Sequence, residues 1–260
     1  MPSLIDFRRR IRTIRNTQQL TKAMKMISAA KLRKTQERVV AARPYAAHLQ
    51  QLLTGLAAAA RSGETDLELP LLEKRAEHRV QIVAITSDRG LAGAFNSNIN
   101  RVVRQMVQER THQHCVIEAL GRKGRDYYAK YGLERSGEHL GISQKVKYFD
   151  AQVVAKILID RYVKGEVDSV YLVYNEFKGM LAQKVTVSRV LPIDMPEGEG
   201  DAPVDYIYES KPEDMLKTLL PKYVEVALYQ ALLESEASEH AARMTAMDSA
   251  TTNAGDLIEK

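Results

Sequence analysis

The chain is poor in the features that mark secreted, membrane-spanning and redox proteins. It has one cysteine, Cys115, so it forms no internal disulfide and holds no cysteine-rich metal site. Cys115 lies in a strand-like run, His114–Leu120, and reads as a small buried hydrophobe rather than a reactive thiol. Without a disulfide framework, the composition points to the cytosol. No stretch approaches the roughly 18 consecutive apolar residues that read as a bilayer span. The longest small-apolar run, Leu56–Ala60, is far shorter. Ile5–Arg15 is basic and broken by charge, which is not the pattern of a signal peptide. There is no internal repeat.

Helix breakers are also scarce, but only at the two ends. From Leu4 to about Ala60 the only breaker before Gly55 is Pro44, and after Pro212 the breakers are Pro221 and Gly255. Each terminal segment extends roughly 70–80 Å as a helix, at about 1.5 Å per residue. That exceeds the width of the domain between them, so the ends must pack on each other, on a partner, or both. In the first segment Leu4, Phe7, Ile11 and Ile14 form a heptad seam. The phase then reads as slipping, with Leu20, Met24 and Ile27 taking over, which predicts a short or irregular supercoil. In the last segment Leu219, Tyr223, Val226, Leu233, Ala237, Ala241, Met244 and Asp248 step at three and four. Its many alanines make a thin helix suited to close packing. The two ends are therefore expected to pair antiparallel, with kinks or breaks at Pro44 and Pro221.

Charge divides along the same lines. The chain is +5 overall, but residues 1–60 hold twelve Lys/Arg against Asp6 and Glu37, a local +10, leaving −5 for the other 200 residues. Residues 211–260 hold five basic and nine acidic residues, a local −4. A basic first helix complements an acidic last one, and its excess charge calls for an outside partner.

The middle of the chain changes period. Arg79–Thr86 is a nearly continuous apolar run ending in a Gly-rich loop, Ser87–Gly93. Helical spacing follows over Ala94–Arg110, a strand over Cys115–Leu120, and helices over Arg122–Tyr131 and Asp150–Val163. Ser169–Phe177 and Gln183–Leu191 read as strands of a hairpin, and Tyr206–Tyr208 as a short final strand. Strand–helix alternation predicts an α/β fold with a mostly parallel sheet and helices on its faces.

Little here supports catalysis. The loop SDRGLAGAFN (Ser87–Asn96) follows a strand, where α/β folds bind ligands, but it is neither GxGxxG nor GxxxxGK[ST]. The simpler reading is a tight turn, with Asp88 and Arg89 capping locally or presented to a protein partner. The six histidines show no metal-ligand spacing, and no nucleophile motif ties Ser, His and Asp together. No cofactor is expected. The basic first helix admits nucleic-acid binding as one reading. Against that, its basic residues wrap several faces, and Phe7 is its only ring before Tyr45. An acidic protein partner around the helix fits charge and length together.

Three runs carry a resemblance: IRNTQQLTKAMKMISAAKLRK (Ile14–Lys34), TSDRGLAGAFN (Thr86–Asn96) and SEHAARMTAMDSATTNAGDLI (Ser238–Ile258). In order and spacing they resemble the γ subunit family of bacterial F-type ATP synthases, and the likeness spans essentially the whole chain. It implies a rotor shaft: an antiparallel coiled coil of residues 1–60 and 211–260 inside a ring of α and β subunits. A central Rossmann-like α/β domain, residues 75–210, would sit below, against the ε subunit and the membrane c ring. Such a subunit is not catalytic. It couples c-ring rotation driven by proton flow to ATP synthesis or hydrolysis on the hexamer, one copy per complex, at the cytoplasmic face of the inner membrane. By motif position, Lys22, Met24, Lys25, Ile27, Asp88, Arg89 and Arg243 would face β, and Tyr206, Tyr208 and Glu209 the c ring. Family members continue several helical turns past Leu257–Ile258, so the end at Lys260 reads as truncated. The alternative is a nucleic-acid-binding or scaffold protein with a basic helical arm.

Overall fold

The computed structural model describes residues 4–61, 69–180, 182–194 and 211–259. Helix α1 (Leu4–Arg61, 58 residues) and the last helix, α5 (Pro212–Glu259, 48 residues), are about 87 and 72 Å long at 1.5 Å per residue. They run antiparallel. Gln18 reaches Thr251, Lys25 pairs with Asp248, Arg38 with Glu236 and Arg43 with Glu234, so rising numbers on one helix meet falling numbers on the other.

The seam of α1 corrects the expected slip. The least exposed positions are Thr21, Ser28, Leu32, Thr35, Val39, Leu49, Leu53 and Leu56, with Gln18, Lys25, Ala42 and Ala46 partly covered between them. These steps of three and four continue the phase of Leu4, Phe7, Ile11 and Ile14 without a break. Leu20 and Ile27, expected to take over the seam, are 66% and 58% exposed. The heptad is continuous; it looked broken because Gln18, Thr21, Lys25 and Ser28 fill seam positions with polar side chains. Pro44 and Pro221 also fail to interrupt their helices. A proline deletes one backbone hydrogen bond, and here buried neighbours hold the helix on both sides: Val39 and Leu49 around Pro44, Leu220 and Val224 around Pro221.

Between the long helices lies a five-stranded mixed sheet, order β3-β2-β1-β4-β5. Its strands are β1 (Arg79–Ile85), β2 (His114–Leu120), β3 (Arg135–His139), β4 (Ser169–Phe177) and β5 (Gln183–Leu191). All pairs are parallel except the β4–β5 hairpin. Helices α2 (Phe95–Glu109) and α3 (Arg122–Lys130) cover one face, and α4 (Tyr148–Val163) and α5 the other. β1 alternates between them: Val80, Ile82 and Ala84 face α2, while Val83 and Ile85 face α4 and α5.

β3 was not anticipated. Its sequence, RSGEH, lacks apolar alternation because this edge strand packs on a buried polar cluster instead of core. The Glu118 carboxylate accepts from Gln81, Ser136, His139 and Arg161 at 2.7–3.0 Å. A Cβ on Gly137 would lie 2.1 Å from Glu118 Oε1, so only glycine fits. Cys115 is partly buried, and burial pushes its thiol up. The expected strand Tyr206–Tyr208 lies outside the described residues.

Candidate functional site

In a doubly wound sheet the ligand crevice opens beyond the strand ends where the winding reverses. Here that place lies between β1 and β4, and the shaft fills it. Ser238 Oγ donates to the Asn175 carbonyl at 3.0 Å, and Ser235 Oγ reaches the Ile85 carbonyl at 3.5 Å. The Phe177 N–H donates to Glu234 at 3.0 Å. The eleven residues 231–241 are all buried, because α1 covers one side of α5 and the strand ends the other. Small Ala and Ser side chains, among them Ala231, Ser235, Ala237, Ser238 and Ala241, let the helix approach its neighbours closely between the larger buried residues.

The loop after β1 is equally committed to the chain itself. Thr86 Oγ1 donates to the Leu120 carbonyl and accepts from the Gly124 N–H at 2.9 Å. A Cβ on Gly121, whose φ is +98°, would meet the Thr86 carbonyl oxygen at 2.2 Å. Asp88 is buried and ties three segments together. It accepts from the Arg122 N–H at 3.1 Å, the Gly141 N–H at 3.0 Å and Ser143 Oγ at 2.8 Å. Arg122 opens α3, so the carboxylate occupies a helix N-terminus, the position a phosphate takes in nucleotide-binding folds. Asp88 is thus a local cap, as the turn reading held. Leu91 adopts φ +62° and is 64% exposed, flanked by the buried Ala92 that turns the chain into α2. Holding a leucine there costs roughly 1–2 kcal/mol, so the surrounding contacts over-determine the loop.

One buried ion pair joins loop and shaft. Arg243 Nη2 donates to Glu239 Oε1 at 2.6 Å and to the Gly90 carbonyl at 3.3 Å. Burial pushes the Glu239 carboxyl up to about 7 although Arg243 opposes it. Burial, then Arg243 and Lys31, hold the neighbouring His240 down to about 4. Further along the shaft, Arg38 bonds Glu236, Tyr229 and the Val146 carbonyl, pinning α1, α5 and the segment before α4 at one point.

The expected contact residues therefore divide. Lys22, Ile27 and Arg89 are exposed, and Met24 is half-buried. Lys25 pairs with Asp248 at 2.6 Å and is partly covered in the seam. Asp88 and Arg243 are buried with their polar atoms used inside the chain. Met24, Ile27, Arg89 and Arg243 line one cavity with Lys31, Glu239 and His240, while Lys22 and Lys25 stand apart from it. Tyr206, Tyr208 and Glu209 lie outside the described residues. Sequence reasoning missed Glu239, His240 and Ser143. The run SEHAAR carried the first two, but a net-charge count hides a buried acid beside a buried base. Among the described residues no group of His, Cys, Asp and Glu is placed to hold a metal, and no helix is long and apolar enough to cross a membrane.

Comparison with known proteins agrees with this architecture. The chain is 55% identical to the ATP synthase gamma chain of Solibacter usitatus over 260 residues, all of this chain and 90% of that one. It is 48% identical to that of Pelotomaculum thermopropionicum, with the same coverage. Its fold matches a central stalk/c-ring chain of the Tetrahymena thermophila mitochondrial ATP synthase with a TM-score of 0.69 and 26% identity, over 89% of this chain and 99% of that one. A rotor chain of the Euglena gracilis enzyme, at 20% identity and a TM-score of 0.62, shares the fold over 97% of this chain and 92% of that one. None of these comparisons supports the nucleic-acid reading of the basic helix. The ATP synthase family pattern matches residues 3–260, and with the full-length identity to gamma chains this shows that the chain belongs to the ATP synthase gamma-chain family.

Proposed function

We propose that this chain is the central rotor shaft of a bacterial ATP synthase, held once per complex inside the hexamer of α and β subunits. Its foot, residues 75–210, meets the ε subunit and the c ring; residues 1–60 and 211–260 form the shaft. Proton flow turns the c ring, and the shaft carries the turn to the β subunits; hydrolysis drives it backwards. The chain takes no part in the chemistry. It lies at the cytoplasmic face of the inner membrane as a peripheral subunit.

The observation that carries this reading is on the outside of the shaft. Leu20, Met26 and Ile27 stay 58–67% exposed outside the seam, on the stretch of α1 that carries Lys22, and Ile27 shares a cavity with Arg89. Exposed apolar residues ringed by positive charge mark a surface that another protein covers. We assign Lys22, Met24, Lys25, Ile27 and Arg89 to contact with β, and give Asp88 and Arg243 the task of fixing the loop that presents Arg89. Tyr206, Tyr208 and Glu209 are assigned to the c ring. Torque passes between foot and shaft through α5 on β4, through Arg38 on the Val146 carbonyl and through Glu234 on the Phe177 N–H, while the Arg38 and Arg43 ion pairs hold the two shaft helices together.

Co-purification tests this. The tagged chain is extracted from membranes in mild detergent, and its companions are identified and counted. One copy with three α and three β subunits, and MgATP hydrolysis in the complex but not in the chain alone, is the expected result. Recovery of the chain alone, or with nucleic acid, refutes the proposal.

A further inference from the structure

Where α1, α5 and the start of α4 meet, the chain leaves a cavity of about 390 Å³ that serves none of the contacts assigned above. Small-molecule pockets span roughly 300–1,000 Å³. Three of its walls are tyrosines, one from each helix: Tyr45, Tyr148 and Tyr229. Tyr148 and Tyr229 stand nearly perpendicular with ring centres 5.4 Å apart, so they form a corner. Their hydroxyls are committed: Tyr148 donates to Glu225 at 2.6 Å, and Tyr229 accepts from Arg38 at 3.4 Å. What they offer the cavity is therefore ring surface, held in place at the polar end. Tyr45 is 59% exposed, a ring the chain does not bury for itself. Val226 is buried and Ala42 presents only a methyl group, so neither fills the space between the rings. Every lining residue except Val226 is partly or largely open to solvent, so the cavity is reached from outside.

We propose that this cavity binds a small flat aromatic carboxylate, its ring held among Tyr45, Tyr148 and Tyr229 and its carboxylate met by Lys222. A flat ring is favoured because aromatic walls set at right angles offer a guest both stacked and edge-to-face contact at once. The carboxylate is favoured by the charges. Lys222 lines the cavity, and its Nζ bonds Glu225 at 3.0 Å, which leaves further N–H groups to donate. Glu225 does not line the cavity, and it already accepts from Tyr148, Gln152 and Lys222, so the anion nearest the site is occupied. Positive charge continues alongside. Arg38, which holds Tyr229, also lines an adjoining space with Lys34, Lys145 and Lys147. A cationic guest would meet this charge unfavourably, and an anionic one is drawn to it. Gln230 completes the lining with an amide that both donates and accepts. The site lies apart from the residues assigned to β and to the c ring and does not depend on the rotor reading.

The test reads the three rings directly. The full chain is prepared with 3-fluorotyrosine in place of its twelve tyrosines, and the fluorine signals of Tyr45, Tyr148 and Tyr229 are assigned with single Phe variants. The probe is 2-naphthoate. Cyclohexanecarboxylate keeps its charge without the flat ring, and 2-naphthylmethanol keeps the ring without the charge. The expected result is a saturable shift of the three signals at one common midpoint for 2-naphthoate, with midpoints at least fivefold higher for both comparison compounds. Lys222→Gln should raise the 2-naphthoate midpoint at least fivefold and leave that of 2-naphthylmethanol unchanged, while Tyr45→Ala should raise both. Neither side chain is buried, and the unchanged signals of the remaining tyrosines report that the fold is kept. No saturable shift, an equal midpoint for either comparison compound, or an unchanged midpoint in either variant overturns the proposal. Equilibrium dialysis of radiolabelled 2-naphthoate against the complex recovered by co-purification then compares the wild-type chain with Tyr45→Ala. One more molecule bound per complex with the wild-type chain is expected. Equal binding would mean that another subunit covers the cavity, and it would overturn the proposal as well.

Discussion

Thr21 and Thr251 meet hydroxyl to hydroxyl at 2.7 Å across the two long helices, although 230 residues separate them. Thr21 also bonds the Gln18 carbonyl at 3.0 Å, and Thr251 the Met247 carbonyl at 2.7 Å. Two hydroxyl protons thus serve three contacts, so one contact is always unmade. A seam built this way is held by shape and register more than by hydrogen-bond strength. Thr21→Val should cost under about 1 kcal/mol of unfolding free energy, because it removes a pair that was never fully satisfied. A loss above about 2 kcal/mol in denaturant titration would contradict this.

The unbroken heptad makes a sharper prediction. Leu32, 3% exposed, sits in the seam, and Leu20, 66% exposed, does not. Leu32→Ala should destabilise by about 2–5 kcal/mol, and Leu20→Ala by less than about 0.5 kcal/mol. Thermal unfolding followed by circular dichroism compares them. Equal losses would restore the slipped register.

That register shows how far the sequence could be read. The terminal helices, the strands β1, β2, β4 and β5 and the helices between them follow from period and breakers, and the structure places them within a few residues of expectation. The seam past Ile14 was illegible because apolarity is what one reads, while Gln18, Thr21, Lys25 and Ser28 keep the phase with polar groups. β3 was illegible for the same reason, since its partner is the Glu118 carboxylate and not a core. At the site, the motifs pointed to the right loop and helix, but the sequence does not say which way a side chain faces. Asp88 and Arg89 are neighbours, yet one is locked inside and the other stands in solvent.

Asp88 and Arg89 should accordingly separate stability from coupling. Asp88→Ala leaves the Arg122 and Gly141 N–H groups without their acceptor and should cost about 2–4 kcal/mol. Arg89→Ala should leave unfolding unchanged and slow ATP hydrolysis by the assembled complex. Denaturant titration of both variants beside turnover of the complex checks the division. A stability loss in Arg89→Ala would contradict it.

Gly137 should tolerate no side chain. The Cβ of Gly137→Ala would overlap Glu118 Oε1, and that carboxylate is fixed by Arg161, His139 and Ser136. A loss of about 3 kcal/mol or more, or failure to fold, is expected on expression and thermal unfolding. Gly179, with nothing near its Cβ position, should accept alanine with a change of under about 1 kcal/mol.

Glu239 and His240 should give opposite slopes of stability against pH. The Glu239 carboxyl is raised in the folded chain to about 7, so between its ordinary value and 7 the unfolded state sheds the proton first and stability falls as pH rises. His240 is lowered to about 4, so between 4 and its ordinary value the unfolded state gains the proton first and stability falls as pH drops. Near pH 5–6 the two nearly cancel. Glu239→Gln should leave a stability that rises with pH there, and His240→Gln one that falls, each by at most about 1.4 kcal/mol per pH unit. Parallel slopes in the two variants would contradict the assignment.

Rotation is the most direct test of the central claim. The α/β hexamer is fixed to a surface, and a bead is attached to the foot through a cysteine placed at the exposed Lys130, with Cys115 replaced by serine. On adding MgATP, the account predicts that the bead turns continuously in one direction while ATP is hydrolysed. A bead that stays fixed to the hexamer during sustained hydrolysis would contradict it.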